Sequence, residues 1–595
     1  METLFDLVEG LRESAEDPAV VEVRPEGVNE RRRGSVHRDA MRLAAGLRSK
    51  GIGQGDRLLL MAPGGRDWIA VCLGAVAARV IVVPVDVQAG DDMLEHIVGD
   101  ASPAIAFAGP DSAERIREAG PDVSGYLLEE GGDDGAWPVW RDCLADSERH
   151  IDPPDPDETA ALFYTSGTTG NPKGVPLSHR NLCVSVNAVE ESGFIVPGDR
   201  VLLPLPLHHV YPFVIGTLTP LRLAVPIVFP AGLTGPLLIR SLSGGRVTVI
   251  LGVPRLYSAL LEAIRGRACE TAAGAVLFRS LLAVSRELRC RFGIGMGRLV
   301  FRSLHRRMGG RVRLLASGGS ALDAALSRDL LGLGWELACG YGLTETSPLV
   351  AFSGPDRFRP GSVGPPLPVV DVRIDRSTNE RRGESSAEPA AKAGEILVRG
   401  PNVFSGYRHL PEATAEVFDG DWFRTGDLGF LDDRGDLHVT GRLSTLIVTQ
   451  GGENVQPADV EAAYESAEAI EELGVLEREG RLVALVVPAA SVRQGGNEAA
   501  RERVRQAIGR RSRKLPSYQR LSDFVLTTQS LPRTRLGKIR RHLLEERYKA
   551  ALEGKKAQKP GAIPLEQMSD RDRRLLEDRM VRRAWESLAD RFGHA

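Results

Sequence analysis

The sequence predicts an α/β protein: a large N-terminal domain of several subdomains built on parallel sheets, followed by a small α+β C-terminal domain. Three observations predict it. Short apolar runs alternate with helix-period segments along most of the chain, the spacing of strand–helix units. Several of those runs end in glycine-rich turns, as strands do where the carboxyl edge of a parallel sheet receives a ligand. Beyond Arg442 the pattern changes to a compact mixture of helices and strands. At 595 residues the chain also exceeds what one hydrophobic core ordinarily supports.

In chain order, a helical pattern at 36–51 precedes the apolar run DRLLLMAP, a helix at 68–78 and the strand VIVVPVD ending at Asp86. A further helix and strand follow at 93–98 and 104–108, and 128–157 is an acidic surface excursion rich in Gly, Asp and Pro. After residues 164–174 come the strand VLLPLPL, the pair His208 and His209, a helix over 213–223, and the strands PIVF and VTVILGVP. Residues 256–308 read as helical and strongly basic, with ten arginines against Glu262, Glu270 and Glu287. Two readings stand for that segment: a solvated face over a buried stripe, or a basic amphipathic face that meets an anionic membrane or a phosphorylated ligand. The strand VRLLASGGSAL ends in a glycine turn and leads through a helix to WELACGYGLTETSP. Residues 376–393 form a polar, low-complexity loop between the strands DVRID and GEILVRG. In the small domain the elements are a strand at 446–449, a helix at 457–467, the strand LVALVVP, a helix at 502–514 and the strand DFVLTT.

Composition narrows the function classes. A net charge of −3 and a pI near 6.5 leave no overall electrostatic footprint for nucleic acid. Cys72, Cys143, Cys183, Cys269, Cys290 and Cys339 are scattered without metal-ligand spacing, which fits a reducing cytoplasm. The N-terminal stretch METLFDLVEG lacks the basic start and apolar run of a secretory signal. Prolines at 204, 206, 212, 220 and 226 interrupt the most apolar region, which argues against a bilayer helix.

The string YTSGTTGNPKG at 164–174 is the richest in chemistry. Thr165, Ser166, Thr168 and Thr169 offer hydroxyls; Gly167, Gly170 and Gly174 let backbone N–H groups approach an anion; Lys173 supplies a cation. It follows a buried run, as a phosphate loop at a sheet's rim does, yet it lacks the Walker spacing of glycine and lysine.

Four separated strings, YTSGTTGNPKG, GYGLTETSP at 340–348, RTGDLG at 424–429 and LPRTRLGKIRR at 531–541, resemble in order and spacing the motifs of the adenylate-forming (AMP-binding) superfamily, its fatty acyl-CoA synthetases in particular. The resemblance covers about residues 10–548. It implies that a carboxylate attacks the α-phosphate of ATP, releasing pyrophosphate, and that a thiol, usually that of coenzyme A, takes the acyl group from the resulting adenylate. It divides the chain into an ATP- and acyl-binding domain at 1–443, a mobile C-terminal domain carrying a catalytic lysine at 444–550, and a linker with a terminal helix at 551–595.

By resemblance, Thr165, Ser166, Gly167, Thr168, Thr169, Gly170 and Lys173 hold the β- and γ-phosphates. Thr344 contacts the α-phosphate and Glu345 ligates Mg²⁺. Gly318, Gly319, Ser320, Gly340 and Tyr341 wall the adenine; Asp427, assisted by Arg442, takes the ribose hydroxyls. Lys538 binds both the attacking carboxylate and the α-phosphate, and His209 orients the carboxylate. Val210, Tyr211, Phe213 and Val253 line the acyl channel, where Gly342 leaves room. Gly451 and Gly452, in GGENVQP, approach the pantetheine arm of coenzyme A.

One departure stands out. The family string Gly-Arg-x-Lys-Asp is replaced by Gly441-Arg442-Leu443-Ser444-Thr445, which puts Thr445 at the hinge. Because the half-reactions require the small domain to rotate there, adenylation is expected to survive and thioester formation to be slowed or tuned. In the tail, Ser569 and Asp572 open a helix with Val581, Trp585, Leu588 and Phe592 on one face; it packs on its own protein or docks a carrier protein. No Leu-Gly-x-Asp-Ser string is present to carry phosphopantetheine.

The expectation is an ATP-dependent synthetase joining a medium- or long-chain fatty acid to coenzyme A. The alternatives are a ligase loading an acyl-carrier protein, an aryl-CoA ligase, and a weakly catalytic binding homologue with the altered hinge.

Overall fold

The computed structural model describes residues 1–129, 137–165, 172–268, 271–377, 393–445, 447–448, 454–478, 480–493, 497–513, 515–533 and 539–552. They fall into two compact units, one built from Met1–Arg376 and Lys392–Thr440 and the other from Gly441 onward.

The first unit holds three sheets. In a six-stranded sheet the order is Gly125–Leu127, Ile105–Ala108, Arg57–Met61, Ile81–Pro84, Thr159–Thr165 and Lys173–Ser178. All neighbours run parallel except the last pair. These strands are apolar on both faces because helices cover the sheet, as parallel sheets require. Leu59, Val83, Ala106 and Leu162 pack with Leu94, Ile97 and Ile116 of the covering helices. A second sheet of eight strands has a parallel centre and an antiparallel strand at each edge, Ala351–Ser353 at one and Gly27–Arg32 at the other. In its centre Gly252, Ser317 and Cys339 stand in register, so the carboxyl ends of Val249–Gly252, Leu314–Ser317 and Glu336–Tyr341 form one edge. The third sheet has five strands, among them Asp371–Asp375, Gly394–Arg399 and Trp422–Leu431.

The second unit is an α+β body. Ile470–Arg478, Arg481–Pro488 and Asp523–Leu526 form a three-stranded sheet, with Pro457–Glu465, Asn497–Ser512 and Leu544–Leu552 as helices. Val460, Tyr464, Val504 and Ile508 close one core with Leu473 and Val486; Leu544 and Tyr548 join Leu485 in another.

Local readings from sequence shift at predictable places. The run at 201–207 pairs only at Val201–Leu202, since Pro204 and Pro206 carry no N–H for a ladder. The helix expected over 213–223 starts at Val210 and passes through a π-helical turn at Val214–Leu218. The basic segment resolves into Pro254–Ala268, Ala272–Phe292, Gly297–Val300 and Arg302–Arg307. Most of the loop expected at 376–393 and the tail from 553 onward lie outside the described residues. No described helix is long and apolar enough to cross a membrane.

Candidate active site

The phosphate-loop string is flanked by two paired strands. Thr165 faces Lys173 and Tyr164 faces Gly174 in the antiparallel register, bringing the two ends of the string together. Ser166, Gly167, Thr168, Thr169 and Gly170 themselves lie outside the described residues. Two residues that the motif does not contain hold the flanks. Tyr164 donates its hydroxyl to Asp100 Oδ2 at 2.6 Å, Arg408 N–H donates to the Gly174 carbonyl at 2.9 Å, and Arg408 Nε donates to the Asp100 carbonyl at 3.0 Å. Burial and the Asp100 carboxylate push the Tyr164 phenol far above its ordinary range, so it remains a neutral donor. A Cβ at Gly174 would stand 3.2 Å from both Arg408 Cβ and Asp100 Oδ2, which explains the glycine there.

From Lys173 a line of contacts leads to Glu345. Lys173 Nζ lies 4.7 Å from the centre of the Tyr407 ring, and the Tyr407 hydroxyl donates to Glu345 Oε1 at 2.9 Å. Glu345 sits in the single turn Thr344–Thr346 just past the strand Glu336–Tyr341 and is only 9% exposed. Side chains and backbone from far away fix that turn: Phe404 N–H donates to the Glu345 carbonyl at 2.9 Å, Asn402 Nδ2 to the Leu349 carbonyl at 2.7 Å, and Ser185 Oγ to the Ser347 carbonyl at 2.6 Å. At Gly342 a Cβ would come within 1.8 Å of the Pro348 carbonyl oxygen. The glycine is thus required by the path of the turn itself, a different reason from the room for an acyl chain expected from sequence. Among the described residues no cluster of three His, Cys, Asp or Glu side chains is arranged to hold a metal ion. A lone buried carboxylate nevertheless suits Mg²⁺ that takes its other ligands from phosphate oxygens and water.

Asp427 is aimed by a bulge. Opposite Trp422–Leu431 the register jumps, Glu395 facing Leu428 and Leu397 facing Arg424. Gly426 absorbs the bend with φ 68°, its N–H donating to Glu395 Oε1 at 3.2 Å, while Arg424 pairs with Glu395 Oε2 at 2.5 Å. Thr425 Oγ1 donates to the Ile396 carbonyl at 2.7 Å and accepts from Asp427 N–H at 3.1 Å. Tyr341 donates its hydroxyl to Asp427 Oδ2 at 2.9 Å, joining the GYG string to the TGD string.

At the shared carboxyl edge, Tyr211 donates its hydroxyl toward the carbonyls of Gly252 and Ala316, at 3.2 and 3.3 Å. Its ring lies on Gly318, where a Cβ would be 2.7 Å from ring carbons. Gly319 has φ 80°, and a Cβ at Gly340 would meet Leu349 Cδ2 at 2.8 Å. Val210 and Val253 are buried, Val253 directly after the strand Val249–Gly252. Phe213 departs from expectation: it has no exposed surface, and it packs edge-on against Phe163 at 5.2 Å and Trp68 at 6.0 Å, so it belongs to the core. His208 Nε2 and His209 Nε2 are 3.1 Å apart, with Asp86 Oδ2 3.6 Å from His208 Nε2. Asp86 thus adds a carboxylate beside the His208 ring. The thiols of Cys183 and Cys339 are pushed up to about 12 by burial, which makes them inert packing groups.

The second unit begins at the hinge string. Gln456 Oε1 accepts from Arg442 N–H at 3.3 Å, Gln456 Nε2 donates to the Arg442 carbonyl at 3.3 Å, and the Thr445 hydroxyl lies 3.2 Å from that carbonyl and 3.4 Å from Gln456 Oε1. A Cβ at Gly441 would collide with the Gln456 amide, 2.1 Å from its carbon. Gly451, Gly452 and Lys538 lie outside the described residues. Asp100, Glu395, Tyr407, Arg408 and Gln456 were not singled out by sequence reasoning; the aromatic following Gly406 in SGYRH was the one local signal for Tyr407.

Residues 11–408 match the AMP-binding enzyme family, and residues 444–559 match the AMP-binding enzyme C-terminal domain. Over 441 residues the chain is 32% identical to a long-chain-fatty-acid–CoA ligase of Mycobacterium bovis, covering 70% of each protein. It is 30% identical over 521 residues to a feruloyl-CoA synthase of an Amycolatopsis species, covering 86% of this chain and 93% of that one. ATP-bound MatB from Rhodopseudomonas palustris shares the fold with a TM-score of 0.71 at 26% identity, over 92% of this chain and 99% of that one. With both of the family's domains matched and CoA ligases among the relatives at 30% identity or more, the chain belongs to the AMP-binding enzymes, among their CoA ligases.

Proposed function

We propose that the protein is an AMP-forming ligase that joins a medium- or long-chain fatty acid to coenzyme A. The observation that carries the reading is the contact line from Lys173 through Tyr407 to Glu345, which ties the cation of the phosphate loop to a buried carboxylate on a separate motif. Where phosphate charge builds up during in-line displacement, such a fixed cation and carboxylate are the parts required.

In the first half-reaction an oxygen of the fatty carboxylate attacks the α-phosphorus of ATP, the bond to the bridging oxygen breaks, and pyrophosphate leaves. Thr165, Ser166, Gly167, Thr168, Thr169, Gly170 and Lys173 hold the β- and γ-phosphates, Thr344 the α-phosphate, and Asp427 with Arg442 the ribose. Gly318, Gly319, Ser320, Gly340 and Tyr341 receive the adenine. Glu345 would hold Mg²⁺, which neutralises phosphate charge when bound. Lys538 brings its ammonium to the carboxylate and the α-phosphate, and His209 orients the carboxylate beside Val210, Tyr211 and Val253. In the second half-reaction the thiol sulfur of coenzyme A attacks the acyl carbon, its proton is released, and AMP leaves. Gly451 and Gly452 flank the pantetheine arm. The division of labour follows: residues 1–443 bind ATP and acid and 444–550 deliver Lys538, while the segment expected at 551–595 lies outside the described residues from 553 onward.

A fatty chain is favoured because Val210, Tyr211 and Val253 are uncharged and because a relative at 32% identity is named for long-chain acids. An aryl acid is the second reading, supported by the longer alignment with the feruloyl-CoA synthase. The test is a panel of saturated and aromatic acids assayed for thioester formation with coenzyme A and, separately, with an acyl-carrier protein. Turnover greatest with saturated chains and coenzyme A supports the proposal. Turnover confined to aromatic acids, or to the carrier protein, replaces it.

A further inference from the structure

We propose that the helical segment between residues 272 and 307 is a docking face for the surface of an anionic lipid bilayer. The proposal is independent of which acid the enzyme activates.

Among the described residues, fourteen large hydrophobic side chains are exposed, and eight of them fall between Val276 and Leu299. The helix Ala272–Phe292 is anchored on one side only. On that side Phe278 packs against Phe301 with ring centres 5.6 Å apart, Ser285 Oγ donates to the Gly332 carbonyl at 2.7 Å, and Arg286 pairs with Asp329. One position earlier at each turn, about 100° round the helix from those anchors, Leu277, Leu281 and Val284 follow the helical repeat and are exposed. The stripe continues past the helix end through Phe292, 68% exposed, to Leu299, 72% exposed. Close packing holds this continuation in place, since a Cβ at Gly297 would lie 2.4 Å from the Gly332 carbonyl. Exposed apolar side chains grouped in this way in one segment of a folded protein mark a docking site.

Charge selects the occupant. From 272 to 307 the sequence holds eight arginines and a single acidic residue, Glu287, although the whole chain has a net charge of −3. Arg279, Arg291, Arg302, Arg306 and Arg307 are exposed around the apolar stripe. Arginines with long apolar stems, ringing leucine and phenylalanine, match lipid phosphates lying above an acyl layer. The geometry is that of lying on a membrane, since no described helix can span one.

The test is co-sedimentation of the full chain with phosphatidylcholine vesicles and with vesicles that also contain phosphatidylglycerol. The expected result is binding to the anionic vesicles that weakens with salt, with much less binding to the neutral ones. Arg302→Glu combined with Arg306→Glu lowers partitioning about tenfold or more. Phe292→Ser combined with Leu299→Ser lowers it similarly, and both pairs leave turnover of a water-soluble acid unchanged. Equal binding to neutral and anionic vesicles, or vesicle binding by the variants equal to that of the native chain, overturns the proposal. So does a native dimer, seen by light scattering, that the variants dissociate without any vesicle binding: the face then belongs to a second copy of the chain.

Discussion

Tyr407 donates its hydroxyl to Glu345 Oε1 at 2.9 Å while its ring stands 4.7 Å from Lys173 Nζ, so one side chain touches both the carboxylate and the cation of the proposed phosphate site. Tyr407→Phe keeps the ring under Lys173 and removes the hydrogen bond. A partner behind a metal-binding carboxylate is worth about tenfold in metal affinity, so the Mg²⁺ concentration for half-maximal rate should rise by about that factor. Tyr407→Leu also removes the ring, and KM for ATP should then rise as well. A Mg²⁺ titration of Tyr407→Phe that superposes on the native curve contradicts the assignment of Glu345.

Asp427 and Tyr341 make a second such pair. Asp427→Asn should raise KM for ATP by about tenfold to a hundredfold, the effect of weakening charge-assisted hydrogen bonds. It should also erase the preference for ATP over 2′-deoxy-ATP. Tyr341→Phe leaves the carboxylate and loses the hydroxyl that holds it, so a rise of about fivefold is expected. Retained discrimination against the deoxynucleotide in Asp427→Asn would place the ribose elsewhere.

The hinge is the third case. Gln456 makes hydrogen bonds to both backbone groups of Arg442, and Thr445 lies against the same carbonyl. Gln456→Ala and Thr445→Asp should leave acid-dependent pyrophosphate release close to native while changing the single-turnover rate of thioester formation about threefold or more, since a hinge hydrogen bond is worth around 1 kcal/mol. Equal rates for both half-reactions in both variants would show that the replaced hinge string has no consequence.

Stability should carry an acid limb from His179. Burial pushes its imidazole down to about 4, from an ordinary 6.5, and Leu4 N–H donates to its Nδ1 at 3.2 Å. The folded state therefore resists protonation that the unfolded chain accepts. The contribution is fully present above the unfolded value of 6.5 and is lost as the pH falls toward 4. Chemical denaturation of His179→Asn and the native chain at neutral pH and at about pH 5 should show a native loss about 2 kcal/mol larger. Parallel losses exclude His179 as the source.

Much of this was legible in the sequence because the informative residues are contiguous. The strands at 57–61, 81–84 and 105–108 are short apolar runs, and each string that matches the family is local in sequence. What sequence hid is contact across distance. Tyr407 lies 62 residues from Glu345, Asp100 lies 64 from Tyr164, and Tyr341 lies 86 from Asp427; nothing in the flanking composition announces those partners. Phe213 shows the opposite error: an apolar residue after the histidine pair reads equally as acyl lining or as core, and only its packing against Trp68 and Phe163 decides for the core. The basic helical segment was ambiguous for a similar reason, because periodicity reveals two faces without telling which one the fold covers.

The central claim is that a fatty acid is activated as its adenylate. The measurement that tests it most directly uses a long-chain acid carrying heavy oxygen in its carboxylate, incubated with ATP, Mg²⁺ and coenzyme A, with mass spectrometry of the products. Attack of the carboxylate on the α-phosphorus predicts one heavy oxygen in each AMP and none in pyrophosphate, together with one acyl-CoA formed per AMP. Unlabelled AMP, or nucleotide cleavage in the absence of the acid, would contradict it.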